Sequence, residues 1–265
     1  MKTKMLFYGS LCLFLCCMLQ EIIGAYNGPD NQSFPLDMAE NSVDDRYSTC
    51  AAKMEKKVNE TYFKKETKDG LFKKAWEKAE TCAKKKQQPG DKDLTKDHIQ
   101  AICVYTAGGP ADLYKKFNEA VRTSKNVYKS SFPFHSLHFW LTRAIQILNK
   151  NKCETTFRRT KAKFTGKVNQ EMRFGTFTST SRISDMTQFG RTTCFKVRTC
   201  QGAYLKNYPT LGDREQEVLI PPYEKFKIIS TDKPKELNDC DTVYVLKSSG
   251  VRSDLDCKIA KQTLL

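Results

Sequence analysis

The stretch Glu215-Gln216-Glu217-Val218-Leu219-Ile220-Pro221-Pro222 decides how this chain is read. Val218, Leu219 and Ile220 form a continuous apolar, β-favouring run closed by two prolines, the pattern of a short buried strand. Extended back through the acids, that strand predicts Glu215 and Glu217 on one side of the backbone, about 6.6 Å apart at a rise of about 3.3 Å per residue. Two carboxylates at that separation can divide one job. One stabilises a developing cation while the other orients or deprotonates an incoming nucleophile. Taken alone, the pair reads equally as two surface glutamates on a solvated edge, so the surrounding chain has to decide.

Outward from that run, the sequence has β character from Cys153 onward. Short segments at 155–158, 175–181, 194–200, 217–220, 226–229 and 242–246 are rich in Thr, Phe, Val and Ile. Before residue 152 the pattern is helical. Leu137, Leu141, Ala144, Ile145 and Leu148 recur on one helix face, and Leu71, Ala75, Ala79 and Cys82 make a weaker stripe. Turn signals at Pro89-Gly90 and Gly108-Gly109-Pro110 separate four or five helices between about 43 and 150. The expectation is an α+β fold, with a helical N-terminal half (26–152) packed on a C-terminal mixed β-sheet core (153–257).

Lys2 and Lys4 precede an apolar stretch from Met5 to Leu19, followed by Gly24 and Ala25, which predicts a cleaved secretory signal over residues 1–25. Of the eleven cysteines, Cys12, Cys16 and Cys17 leave with it. The remaining Cys50, Cys82, Cys103, Cys153, Cys194, Cys200, Cys240 and Cys257 are an even set that suits up to four disulfides in a secreted chain. The tightest spacing, Cys194 to Cys200, lacks the close ligand pairs of a zinc site, so no metal is expected. Asn31 and Asn59 head glycosylation acceptor triplets, Asn31-Gln32-Ser33 and Asn59-Glu60-Thr61. The end from Lys258 to Leu265 carries no apolar tail of lipid-anchor length, and no second span appears, so a secreted, extracellular protein is expected. Much of the excess behind the net charge of +15 sits between Lys53 and Lys86, where twelve lysines interleave with acids as on a solvated helix face. No recognisable nucleic-acid motif accompanies it.

Two further segments join the acid pair: Thr156-Phe157-Arg158 just after Cys153, and Phe177-Thr178-Ser179-Thr180-Ser181. An arginine, a Ser-Thr-Ser and a Glu-x-Glu, in that order over about 60 residues, resemble the signature of the arginine-specific mono-ADP-ribosyltransferases of the vertebrate ecto-enzyme type. The likeness extends to Ser42-Val43-Asp44-Asp45, Ala75-Trp76-Glu77-Lys78-Ala79, Ser136-Leu137-His138-Phe139 and Tyr244-Val245-Leu246-Lys247-Ser248-Ser249-Gly250, and so spans roughly residues 35 to 257. It implies the ADP-ribosyltransferase fold for a single catalytic domain over 26–265. It also implies NAD as ADP-ribose donor, and transfer to arginine in acceptor proteins or to small guanidino compounds.

On that resemblance Glu217 is the catalytic glutamate, placed to favour the cation that grows on the ribose as the bond to nicotinamide breaks. Glu215 holds and helps deprotonate the acceptor guanidinium, whose pKa above 12 calls for a carboxylate partner. Arg158 is expected at the dinucleotide phosphates. Ser179 should hold Glu217 or the nicotinamide ribose, and Ser181 should brace the strand. Phe189 is a candidate for the nicotinamide ring, and Tyr208 falls in the region that meets the acceptor. The resemblance also suggests the disulfides Cys50–Cys257 and Cys153–Cys200. Cys82, Cys103, Cys194 and Cys240 remain, with Cys82–Cys103 and Cys194–Cys240 as one of their open connectivities.

The chain departs from the family at Arg159, where glycine usually follows the motif arginine, so the close backbone approach expected near the nicotinamide amide is not assured, and extra charge there could strengthen phosphate contacts or weaken activity. Two alternatives therefore stand beside transfer to arginine: NAD hydrolysis at the same site, and an inactive basic secreted binding protein. His98, His135 and His138 lie in the helical half, with His138 expected to be structural.

Overall fold

The computed structural model describes residues 33–86, 90–108 and 113–261. The expected signal segment and Asn31 lie outside the described residues.

In the N-terminal half, helix α1 (Ala51–Lys57) runs through a π-helical segment (Val58–Tyr62) into α2 (Phe63–Glu66). Helices α3 (Gly70–Lys86), α4 (Lys96–Thr106), α5 (Leu113–Thr123) and α6 (His135–Asn149) follow. Helix α4 opens on a capping box, in which the Thr95 hydroxyl accepts from the His98 amide. Helix α6 opens on a carboxylate: the His135 and Ser136 amides donate to Glu66 at 2.7 and 3.0 Å, an anion placed at the positive end of the helix. It ends at Lys150, whose left-handed φ of 49° stops the helix.

The expected stripe on α6 is buried throughout. On α3 the fully buried positions are Phe72, Trp76, Ala79 and Ala83, so Ala79 is buried as expected while the other three lie one residue beyond Leu71, Ala75 and Cys82, which are partly buried against the same core. The two tryptophans set that rotation, because Trp76 stacks on Trp140 of α6 with ring centroids 4.8 Å apart.

Ten strands are described: β1 (Ser33–Pro35), β2 (Glu154–Thr160), β3 (Lys163–Thr165), β4 (Glu171–Met172), β5 (Thr178–Ser181), β6 (Thr193–Thr199), β7 (Ala203–Tyr204), β8 (Glu217–Ile220), β9 (Glu224–Ser230) and β10 (Thr242–Val251). Eight of them form one sheet in the order β4-β9-β10-β6-β2-β5-β8-β7, while β1 pairs with β3. The β10–β6 pair is parallel and the other pairs of the large sheet are antiparallel, so the sheet is mixed as expected. The β2–β5 pairing matters most for function. Only Phe157 and Ser181 face each other in register there, so the two strands part company immediately and leave a cleft between them.

Alternation along β8 divides the core. Leu219 joins the large cluster made with the helices, which also takes in Phe177, Leu205 and Tyr208 from the β half. Ile220 belongs to a second cluster with Phe195, Phe226 and Leu246. Four disulfides tie the chain: Cys50–Cys257, Cys82–Cys103, Cys153–Cys200 and Cys194–Cys240. The first closes 207 residues, worth roughly 5 kcal/mol on a chain-entropy model.

His138 is fully buried, with Nδ1 2.8 Å from the Tyr47 hydroxyl and Nε2 3.1 Å from the Val43 carbonyl. Burial pushes its pKa down to about 3, so it is neutral and structural.

Candidate active site

The cleft where β2 and β5 diverge is lined by Arg158, Ser179, Ser181, Phe189, Glu215 and Glu217, together with Phe157, Arg159, Thr180, Ile183 and Met186. It holds about 480 Å³ of space, counting its open mouth.

Strand β5 assembles it. Ser179 and Ser181 lie opposite Leu219 and Glu217 of β8. The Ser179 hydroxyl donates to Glu217 Oε1 at 2.7 Å, and the Ser179 carbonyl accepts from Arg158 Nη1 at 2.7 Å. Thr180 donates to the Val218 carbonyl at 2.7 Å and receives the Thr156 hydroxyl at 2.8 Å, tying β5 to both neighbours. The Ser181 hydroxyl donates to the Glu215 carbonyl at 2.6 Å and accepts from the Ile183 amide at 2.9 Å. Each residue of Ser179-Thr180-Ser181 therefore holds a different part of the site.

Glu215 reaches the cleft by a route that the strand extrapolation did not foresee. Strand β8 begins at Glu217, and Gln216 has a left-handed φ of 42°, which breaks the alternation. The Gln216 amide closes a turn onto the Asp213 carbonyl, and the Gln216 carbonyl accepts from the Arg182 amide. A turn, not a strand face, presents Glu215. Behind it the Arg182 guanidinium lies 3.7 Å from the Tyr204 ring centroid and bonds Glu154 at 2.6 Å, while the Tyr204 hydroxyl donates to Asp213.

The electrostatics single out Glu217. It is buried, with one hydrogen bond from Ser179, and desolvation together with the nearby Glu215 charge outweighs the Ser179 bond and the Arg158 charge, raising its pKa to about 7. Burial raises the pKa of Glu215 as well.

Phe189 closes a short 3-10 turn, Thr187–Phe189, at the rim of the cleft. Gly190 follows with φ of 126°, pressed so closely on the Thr160–Lys161 backbone that an added Cβ would lie 2.5 Å from it. Only glycine lets the loop approach β2 at that point.

Two expectations change. Tyr208 is buried, 1 % exposed, with its hydroxyl on Asp91 at 2.7 Å, so it packs in the core and offers no side chain to an acceptor. Arg159 adds no loose charge to the cleft: its guanidinium forks onto Asp239 at 3.0 and 2.9 Å and donates to the Ser184 carbonyl at 2.7 Å. Sequence reasoning missed Ile183 and Met186 as lining residues, because two apolar residues in a polar loop carry no pattern.

The family model for NAD:arginine ADP-ribosyltransferases matches residues 36–248. The chain belongs to this family. The erythroblast NAD(P)(+)–arginine ADP-ribosyltransferase of Gallus gallus is 33% identical, over 86% of this chain and 76% of that protein. The T-cell ecto-ADP-ribosyltransferase 2 of Mus musculus is 32% identical over 84% and 77%. Among solved structures, a variant of the eukaryotic mono-ADP-ribosyltransferase ART2.2 in complex with NADH superposes with a TM-score of 0.70 at 28% identity, covering 84% of this chain and 98% of that one. In this ADP-ribosyltransferase no group of three or more metal-ligating side chains is gathered among the described residues. Nor is any described helix long and apolar enough to cross a membrane.

Proposed function

We propose that this enzyme cleaves NAD between nicotinamide and ribose and transfers the ADP-ribose to the guanidino group of arginine in acceptor proteins or small guanidino compounds, releasing nicotinamide. The observation that carries the proposal is the buried Glu217 carboxylate, held by Ser179 and sharing an open cleft with Arg158 and Glu215.

The donor set suits NAD. A guanidinium offers a planar fork for phosphate oxygens, apolar walls at Phe157, Ile183, Met186 and Phe189 suit a ring, and a carboxylate suits a centre that becomes cationic. Glu217 stabilises that positive charge as the glycosidic bond weakens, and the charge in turn favours its ionised form. Ser179 fixes the rotamer of Glu217 and, through its carbonyl, the aim of Arg158. Glu215, at the mouth of the same cleft, orients the acceptor guanidinium and accepts its proton. Phe189 packs against the nicotinamide end.

The catalytic unit spans residues 26–265 as one domain, and the enzyme acts as a secreted protein outside the cell. Four disulfides and the exposed acceptor Asn59 support that location. Arg159, the departure behind the inactive-binder reading, is tied to Asp239 and Ser184, which favours the enzymatic reading.

Incubating the purified protein with labelled NAD and agmatine tests the proposal. Labelled ADP-ribosylagmatine is the expected product, and it disappears in Glu217→Gln. Free ADP-ribose as the sole product would make the enzyme an NAD hydrolase instead, and no turnover would reject both activities.

A further inference from the structure

The loop 182–190 forms one wall of the cleft through Ile183, Met186 and Phe189. Its internal bonds are local: Thr187 N to Asp185 O at 2.6 Å, Phe189 N to Met186 O at 3.2 Å, and Gly190 N to Thr187 O at 3.0 Å. Such bonds fix the shape of a loop, whereas its position depends on what ties it to the scaffold. Arg159 supplies a tie in mid-loop. Its Nε donates to the Ser184 carbonyl at 2.7 Å, while Nη1 and Nη2 grip Asp239 at 3.0 and 2.9 Å.

The other end of that tie is rigid. Asp239 precedes Cys240, which is bonded to Cys194, and Cys194 is the register partner of Arg159 across β2 and β6. Arg159 therefore joins the cleft wall to a cross-linked corner of the sheet. Its side chain is only 2 % exposed, and a planar fork with two fixed partners holds a direction that a flexible ammonium does not. The neighbours divide the work within the cleft: Arg158 bonds across to Ser179 of β5, whereas Arg159, which also lines the cleft, bonds to Ser184 and Asp239.

We propose that Arg159 is a positioning residue for the nicotinamide side of the cleft: by fixing Ser184 it sets the spacing between the wall carrying Ile183, Met186 and Phe189 and the pair Arg158 and Glu217. The proposal rests on reading the cleft as the NAD site. Its consequence is specific to the donor. Slackening the wall in mid-loop weakens capture of NAD, while the Glu215 turn, bonded where the loop leaves β5 by Ser181 and Arg182, keeps its grip on the acceptor.

The test removes both charges together, as Arg159→Met/Asp239→Asn, so that no unpaired ion is stranded in the interior. Arg159→Lys keeps the charge without the fork, and Arg191→Ala removes the exposed second partner of Asp239, 3.1 Å away. KM for NAD, KM for agmatine and kcat are measured well below each protein's unfolding midpoint. The double variant is expected to raise KM for NAD about tenfold with KM for agmatine and kcat within about twofold, Arg159→Lys to fall between it and the parent, and Arg191→Ala to match the parent. Unchanged KM for NAD, or a parallel change in all three constants, overturns the positioning role. A double variant that does not fold leaves Arg159→Lys to decide by the same split. A parent protein that turns over no NAD refutes the reading of the cleft itself.

Discussion

Glu217 opens strand β8 and Glu224 opens strand β9, two strands consecutive in the chain but not neighbours in the sheet, and each strand buries its first carboxylate, 5 % and 0 % exposed. Their surroundings differ. Glu224 accepts from the Thr199 hydroxyl at 2.5 Å and from the Cys200 and Gln201 amides at 2.6 and 3.1 Å, at the end of β6 and in the turn that follows it. Glu217 accepts from Ser179 alone among the bonds described, and faces a second carboxylate across a cleft. Burial raises both pKa values, but at Glu224 several donors oppose it, whereas at Glu217 one hydroxyl and one guanidinium do. A buried acid ringed by donors anchors a fold. One left short of them is held at a free-energy cost that only a cationic partner relieves, which is how active sites differ from scaffolds.

Several substitutions would break or sharpen that contrast. Glu217→Gln is expected to have the largest effect, lowering kcat about 10³-fold because the charge that meets the developing cation is gone. Glu215→Ala should lower transfer to agmatine about 100-fold while sparing NAD cleavage more, read as the ratio of ADP-ribosylagmatine to free ADP-ribose. Equal loss of both products would merge the two roles. Activity requires ionised Glu217, so kcat/KM should fall as pH drops below about 7. Ser179→Ala removes a bond that favours the ionised form, and should move this acidic limb upward and cost about tenfold at pH 7. Glu224→Gln should be smallest in activity, within about twofold in kcat, with its effect instead on stability: about 1–3 kcal/mol lost as amide donors at Cys200 and Gln201 lose charged acceptors.

The same contrast explains what was legible in the sequence. Glu217 and Ser179 were readable only as members of an ordered set: alone, the acid pair reads as surface glutamates and the Thr/Ser run as an ordinary strand or turn, and the resemblance carried by Arg158, Ser179-Thr180-Ser181 and Glu215-Gln216-Glu217 together marked them. The buried face of α6 was readable from its period. On α3 three of the four expected positions are only partly buried, because Trp76 stacks on a ring 64 residues away, which no local pattern encodes. The route of Glu215 depends on a left-handed Gln216, and glutamine carries no signal for that conformation. Strands β1, β3, β4 and β7, of two or three residues, are too short to show a period of two. The direction of Arg159 depends on Asp239, 80 residues away, and Tyr208 was drawn inward by Asp91 from a distant turn.

The central claim, that Glu217 is kept as a costly buried acid for the sake of catalysis, has a direct test in stability against pH. A folded-state pKa of about 7 against the ordinary 4.5 means that the native protein binds more protons than the unfolded chain between those values. The carboxylate therefore subtracts stability as pH rises from 4.5 to 7, by up to about 3 kcal/mol at full ionisation. Unfolding free energies of the parent and Glu217→Gln, measured from pH 4.5 to pH 8, should converge at the acidic end, with the variant more stable at pH 8. A variant that is equally or less stable at pH 8 would contradict the claim.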